Sequence, residues 1–572
     1  MRRETTWEGS GGPEPTTGDA GVTGTTPPAR PARPRAEAPP RWQRRGALAV
    51  LLTALAGVTC VRLALIHAPL SPDEAGFLRM GAQWSHGSSL YGDYWVSRPP
   101  GITAIYSLAA HLGGSITLRV IGLLAAVASV LLAVAVARTL TRGRTWPAVW
   151  AGVLTAALLS TPNLDVNVVD GEILALPFLM AGILGALRAT VGDPSRRARL
   201  WWAVCAGASG AAALSIKQNL LDVGVLLGGL VLVLAARRAW RPVGDVVLGA
   251  LAGAVALVVP LLLLAIQRGT SLGGLWDAVV MYRFRAAEVL GRPSHAKSER
   301  WGEMVGAFTS SGAPWVLLLL PTLLVPRRAW RALARRVRRT PERAAARPAA
   351  TRGSIRPDDP ALAWVATALV LFEAFSVKGG GGFWLHYLVG TVPGLTLVLA
   401  LSLGRLHPRA GWWRWAPRLA IVGGVVAATC VVTVPFLQDP PQGSADEKAV
   451  ATYLREHAHL GRTAVVAFGR PTILEAADMN SPYPQLWSVP VLTDDPDLTK
   501  LTPVLAQQRA TWVVTRTDKL QDWGMDDTHA MKVLARNYQR VRQEGDLEVW
   551  RARSADPAMV SARARPMGRP LP

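Results

Sequence analysis

The chain is 572 residues long, half of them hydrophobic, with a formal net charge of +23, and its apolar residues are gathered into long blocks. A soluble chain of this length would form several domains with interrupted apolar stretches. Blocks near the 20 or so residues that cross a hydrocarbon core exclude that class and define a polytopic α-helical membrane protein. The positive charge sits in particular inter-helix loops, as the positive-inside rule requires, which removes the nucleic-acid partner it would otherwise suggest.

Residues 1 to about 40 are rich in Gly, Pro, Thr and Ala without apolar periodicity, and are expected to form a disordered cytoplasmic tail. The first apolar block follows Arg41, Arg44 and Arg45, so it reads as an uncleaved anchor with a cytoplasmic N-terminus. Eleven spans are predicted, near 46–67, 115–137, 146–160, 172–188, 200–216, 220–236, 243–266, 312–325, 361–377, 384–403 and 416–436. The tightest connection is Lys217-Gln218-Asn219. Loop charges agree with this count: Arg138, Arg142 and Arg144, then Arg196, Arg197 and Arg199, then Arg237, Arg238 and Arg241, fall on the cytoplasmic side. So do Arg405, Arg409 and Arg414, and a basic loop at 327–358 that carries eleven Arg against Glu342 and Asp358. The outer connections hold the carboxylates Asp73, Glu74, Asp93, Asp165, Asp170 and Glu172.

Two outer loops are long. Residues 68–114 are expected to contain short interfacial helices. Residues 267–311 alternate aromatics and cations (Trp276, Tyr282, Arg283, Phe284, Arg285, Arg292, Trp301) in the manner of a headgroup-level segment. The transmembrane region spans about 46–436. From Asp439 the chain turns polar. A helix over 445–457, strands over 463–468, 511–515 and 547–551, and a helix over 526–542 predict a small extracytoplasmic α/β domain at 439–554, followed by a disordered tail at 555–572. Cys60, Cys205 and Cys430 lie inside apolar spans with neither metal-ligand spacing nor a disulfide framework. There is no zinc spacing, Walker loop or hydrolase elbow.

The chemistry is concentrated at the outer face. In Ser71-Pro72-Asp73-Glu74, neighbouring carboxylates can divide labour, one taking a proton from a hydroxyl while the other holds a metal or a sugar hydroxyl. The same four residues also make a good helix start. Arg98, in Arg98-Pro99-Pro100, suits a phosphate because its planar fork donates bidentately, although an interfacial Arg also snorkels to headgroups. Arg119, four residues into the second span, snorkels outward or contacts an anion. Asp165, Asp170 and Glu172 flank the mouth between the third and fourth spans, where an ionised Glu172 is costly unless used or paired, and loop acids also cap helices. Lys217 and the Lys378–Tyr387 segment add outer-face donors. There His386 and Tyr387 fit either an interfacial belt or a phosphate contact.

Together these residues resemble the GT-C glycosyltransferase superfamily, in its protein O-mannosyltransferase and aminoarabinose-transferase branch. The likeness is carried by Asp73-Glu74, Tyr91-Gly92-Asp93, Arg98-Pro99-Pro100-Gly101 where the family has Lys-Pro-Pro, Leu118-Arg119, Glu172-Ile173-Leu174, Lys217 and His386-Tyr387 ahead of Pro393. The resemblance implies a polyprenyl-phosphate sugar donor, transfer with inversion to an acceptor hydroxyl of a protein, lipid or polysaccharide, and a place in the cell membrane with the C-terminal domain outside. It implies Asp73 as general base or metal-adjacent carboxylate with Glu74 beside it. It further implies Arg98, Arg119, Lys217, His386 and Tyr387 on the lipid phosphate, and Asp93, Asp165, Asp170 and Glu172 near acceptor or sugar. Metal use varies in the family, which leaves a divalent Mg or Mn ion at Asp73 open. The rival readings are a lipid or glycolipid transporter and an inactive scaffold. A transporter would place ionisable groups near the midplane and show internal repeats, whereas here the span interiors are nearly free of charge.

Overall fold

All eleven predicted apolar stretches are helical in the computed structural model, which describes residues 41–84, 90–292, 295–325, 354–406, 411–466, 468–517, 519–520 and 524–555. The two predicted tails, apart from Ala555, and all but the last five residues of the basic loop lie outside the described residues. In chain order the helices are α1 (Arg41–Ala64), α2 (Pro72–Ala82), α3 (Pro100–Leu112), α4 (Ser115–Leu140), α5 (Thr145–Leu158), α6 (Gly171–Thr190), α7 (Arg196–Ile216), α8 (Asp222–Ala236) and α9 (Trp240–Gln267). Helices at Pro360–Gly379, Leu385–Gly404 and Trp412–Gln438 follow.

Seven helices among the described residues are long and apolar enough to cross a membrane, and a pair bent by 64° between Ala296–Ser310 and Ala313–Leu324 makes up to eight. The remaining expected spans are shorter or more charged. Helices α5 and α8 have 14 and 15 residues, below the 20 or so of a straight crossing, and α7 begins with Arg196, Arg197 and Arg199. On α9, Leu248, Leu251 and Leu263 are more than half exposed; in a helix of that length such a face belongs against lipid rather than water. By contrast α6 and Leu385–Gly404 are mostly buried and form the centre of the bundle.

The long loop 68–114 contains α2 and α3; α2 packs against the helix Pro471–Ala477 of the C-terminal domain, while α3 packs on α2, α4 and α7. That domain carries a four-stranded sheet in the order β1-β2-β4-β3, with β1 (Ala464–Val466) parallel to β2 (Trp512–Arg516) and β4 (Leu547–Ala552) antiparallel to β2 and to β3 (Tyr538–Glu544). Strand β3 corrects the sequence reading, in which residues 526–542 were a single helix. The helix stops at Asn537, and the next seven residues pair with β4 through a turn at Gly545-Asp546. Tyr538 is buried and the following residues are mostly exposed, the pattern of an edge strand.

Candidate active site

A cavity of about 520 Å³ opens between one end of the membrane-helix bundle and the C-terminal domain. It brings together Asp73, Arg98, Asp165, Asp170, His386 and Tyr387 from the sequence-predicted set, and adds Arg283, Phe468, Arg470, Trp487 and Arg516.

Asp73 is placed by the start of α2. Ser71 is the N-cap, its Oγ accepting from the Glu74 amide at 3.2 Å while Glu74 Oε2 accepts from the Ser71 amide at 2.8 Å, and Pro72 opens the first turn. This capping box fixes the turn. Successive helical residues are about 100° apart around the axis, so fixing Glu74 inward turns Asp73 to the cavity.

Glu74 is fully buried and every part of its carboxylate is engaged. Oε1 accepts from the Val169 amide at 2.8 Å and meets Arg119 Nη1 at 2.7 Å, while Oε2 accepts from Arg119 Nη2 at 3.1 Å. Arg119 also donates to the carbonyls of Asn167, Ala68 and Pro69. Neither residue lines the cavity. The expected catalytic place of Glu74 and phosphate contact of Arg119 are therefore corrected: they form a buried ion pair that binds α2 to α4 and to the loop before α6. Asp93 is likewise displaced from the site. It is exposed on the turn between Tyr91 and Tyr94, away from the cavity wall. The flanking tyrosines are structural: Tyr91 donates to the Arg98 carbonyl at 3.0 Å, and the Tyr94 hydroxyl accepts from the Ser481 amide at 2.9 Å.

Asp165 and Asp170 line the cavity but are held by His386. Its Nδ1 lies 2.9 Å from Asp170 Oδ2 and 3.4 Å from Asp165 Oδ2, and its amide donates to Asp165 Oδ2 at 3.0 Å. Glu172 and Lys217 pair with each other just behind this wall. The Lys217 Nζ sits 4.4 Å from the centre of the Tyr387 ring, so its charge reaches the cavity through that ring and not by lining it.

The Asp73 carboxylate and the Arg98 guanidinium make no hydrogen bond or ion pair among the described residues, and Arg283 has a buried Nε without a partner. Burial pushes the Asp73 carboxyl up from its ordinary range, as does nearby Asp170, while Arg98, His386 and Lys217 draw it back. For Asp170 burial acts upward too, but His386 outweighs it and holds the group low. Burial lowers Lys217, against the upward pull of Glu172. Arg283 is brought down to about 10 by burial and by Arg98, and stays charged at neutral pH. An open carboxylate whose proton affinity is raised, facing open guanidinium groups, can take a proton on one side of a bound molecule and hold an anion on the other.

The far wall comes from the C-terminal domain. Gly76 on α2 lets the Trp487 ring approach so closely that an added Cβ would lie 2.4 Å from it. Arg79 on α2 pairs with Glu475 at 3.0 Å and Asp478 at 3.1 Å, and the Trp95 amide donates to the Pro484 carbonyl at 2.8 Å. These contacts position Phe468, Trp487, Arg470 and Arg516 at the cavity. Nothing in the sequence marked those four. Arg283 was visible only as one cation in an aromatic, headgroup-like stretch.

Among the described residues no group of three or more His, Cys, Asp or Glu side chains is placed to hold a metal ion. Asp165 and Asp170, the nearest acids to Asp73 on this wall, are engaged with His386, so the donor set does not fit a divalent ion at Asp73.

Comparison with solved structures finds ArnT from Cupriavidus metallidurans in the apo state, at 15% identity with a TM-score of 0.56, covering 89% of this chain and 98% of that one. The same protein bound to undecaprenyl phosphate matches at 15% identity and a TM-score of 0.55, covering 88% and 98%. The chain has the GT-C fold. The matched part, 88–89% of this chain, is longer than the membrane-helix region alone. No family model matches the sequence, and no curated protein does either.

Proposed function

We propose that this protein is a membrane glycosyltransferase that moves a sugar from a polyprenyl-phosphate donor to an acceptor hydroxyl at the extracytoplasmic membrane face, with inversion at the anomeric carbon. The observation that carries the reading is the unpaired Asp73 carboxylate sharing one cavity with the unpaired Arg98 and Arg283 guanidiniums at one end of the membrane-helix bundle. The fold shared with ArnT, whose structure was determined with undecaprenyl phosphate bound, supports the same donor class here.

In this mechanism the acceptor oxygen attacks the anomeric carbon, Asp73 takes the hydroxyl proton, and the bond from that carbon to the phosphate oxygen breaks. The electron pair leaves with the polyprenyl phosphate, whose growing charge is held by Arg98 and Arg283. Lys217 contributes through the Tyr387 ring. Such donors act where charge develops, which is where electrostatic catalysis is strongest. The raised proton affinity of Asp73 suits a general base. His386, pinned by Asp165 and Asp170, lends positive charge to the same wall when protonated. No step passes through a metal.

The test is transfer or hydrolysis from a panel of radiolabelled polyprenyl-phosphate sugars by purified protein, beside Asp73→Asn and Arg98→Ala. Turnover that collapses in Asp73→Asn supports the assignment. Consumption of no donor, or full activity in Asp73→Asn, would overturn it in favour of lipid transport or a scaffold role.

A further inference from the structure

A second, much smaller chamber lies behind Tyr387, lined by Glu172, Asn219, Asp222, Glu373 and Ser376 among others. It has room for about one water-sized occupant, at about 10 Å³. Three oxygens around it have no hydrogen-bond partner although buried: Glu172 Oε2, Asn219 Oδ1 and Asp222 Oδ1. Glu172 and Asp222 are 3% and 2% exposed, so bulk water does not satisfy them.

The orientation of the amide is set by its neighbours. Ser376 Oγ donates to the Asn219 backbone carbonyl at 3.3 Å and so must accept from Asn219 Nδ2, at 2.8 Å. That leaves Asn219 Oδ1 as an acceptor toward the chamber. Asp222 and Glu373 are two buried carboxyls on the wall of this chamber, and no Lys, Arg or His forms an ion pair with either among the described residues. Glu373 is fixed by the Gly394 amide at 2.7 Å, on a backbone approach so close that a Cβ on Gly394 would lie 2.1 Å from Glu373 Oε2. The Glu172 charge is already balanced by Lys217.

The chamber therefore presents three open acceptors and two buried carboxyls with no cation paired to them among the described residues. A single water has only two protons to give and no charge. A divalent metal usually takes more oxygen ligands than this set offers. We propose that this chamber binds one small monovalent cation, of the Na⁺ kind, on Glu172 Oε2, Asn219 Oδ1 and Asp222 Oδ1. The site is separate from the sugar cavity and does not depend on the glycosyl-transfer reading. Tyr387 lines both spaces, so the ion would brace one wall of the larger one.

The experiment is retention of radiolabelled Na⁺ by the purified full-length protein in choline chloride buffer, with the unfolding midpoint in NaCl against choline chloride at equal ionic strength as a second readout. The expected result is saturable retention displaced by unlabelled Na⁺, together with a higher midpoint in NaCl. Asn219→Ala and Asp222→Asn should each weaken retention on the order of tenfold or more. Asn219→Ala removes only a neutral ligand, so the test survives if Asp222→Asn fails to fold. Absence of retained Na⁺ with equal midpoints in the two salts, the result for a water-filled chamber, would overturn the proposal, as would retention unchanged in Asn219→Ala.

Discussion

Adjacent substitutions on α2 are expected to give opposite phenotypes. Glu74→Ala leaves Arg119 with no counter-ion at a site where its side chain is 5% exposed, and removes the acceptor from the amides of Ser71 and Val169. Breaking a buried pair from one side costs about 3–5 kcal/mol, and each orphaned amide adds about 1–3 kcal/mol. Water entering the space relieves part of that, so about 3 kcal/mol is the lower figure to test. It corresponds to a fall of several degrees in the unfolding midpoint. Asp73→Asn removes no hydrogen bond or ion pair, and keeps the shape of the side chain. The folded state raises the Asp73 pKa above its unfolded value, so the protein gains stability from this group as pH falls through the raised pKa, and the ionised form is disfavoured above it. At neutral pH a neutral Asn removes that disfavoured charge, and the midpoint should hold or rise while transfer is lost. Tryptophan-fluorescence unfolding in detergent, paired with the transfer assay, reads both. The reasoning fails if Glu74→Ala unfolds within about 1 °C of wild type, since a lost buried pair cannot be that silent, or if Asp73→Asn is the less stable of the two.

Other outcomes follow from the same geometry. Transfer should fall on the acid side at a pH above the ordinary Asp range of about 4, because Asp73 must be ionised to take a proton and its pKa is raised; a rate profile flat down to that range would contradict its role as base. Arg98→Ala and Arg283→Ala should each raise KM for the donor by about tenfold or more, from the loss of about 1.5–3 kcal/mol of charge-assisted bonding, with little change in unfolding midpoint. Unchanged donor kinetics in both would remove the phosphate site from this wall. Arg79→Ala should loosen the C-terminal domain by breaking its pairs with Glu475 and Asp478, seen as faster release of that domain by limited trypsin digestion. Digestion at the wild-type rate would show that the other contacts suffice.

The helices were legible because membrane-spanning segments announce themselves as apolar blocks, and Asp73, Arg98, His386 and Tyr387, which the fold brings to one cavity, stood out because charge or polarity beside such blocks needs a use. Glu74 was misread for a reason that sequence adjacency hides: two neighbours on a helix face different surroundings, and only the fold shows that Arg119 is the counter-ion of Glu74. Arg283 carried no mark that set it apart from interfacial cations around it. The cavity wall at Phe468, Arg470, Trp487 and Arg516 has no motif because its residues meet only through docking on α2. Strand β3 was invisible for a related reason. Its Gln, Arg and Glu residues suit a helix, and the pairing with β4 decides the matter.

The docking of the C-terminal domain also orders events in time. Asp73, Arg98 and Asp170 leave the ribosome well before Phe468, Trp487 and Arg516, yet one cavity needs both groups. The cavity is thus enclosed only once the C-terminal domain has folded and settled on α2. A chain stalled before that domain would carry Asp73, Arg98 and Arg283 and still lack the wall formed by Phe468, Arg470, Trp487 and Arg516.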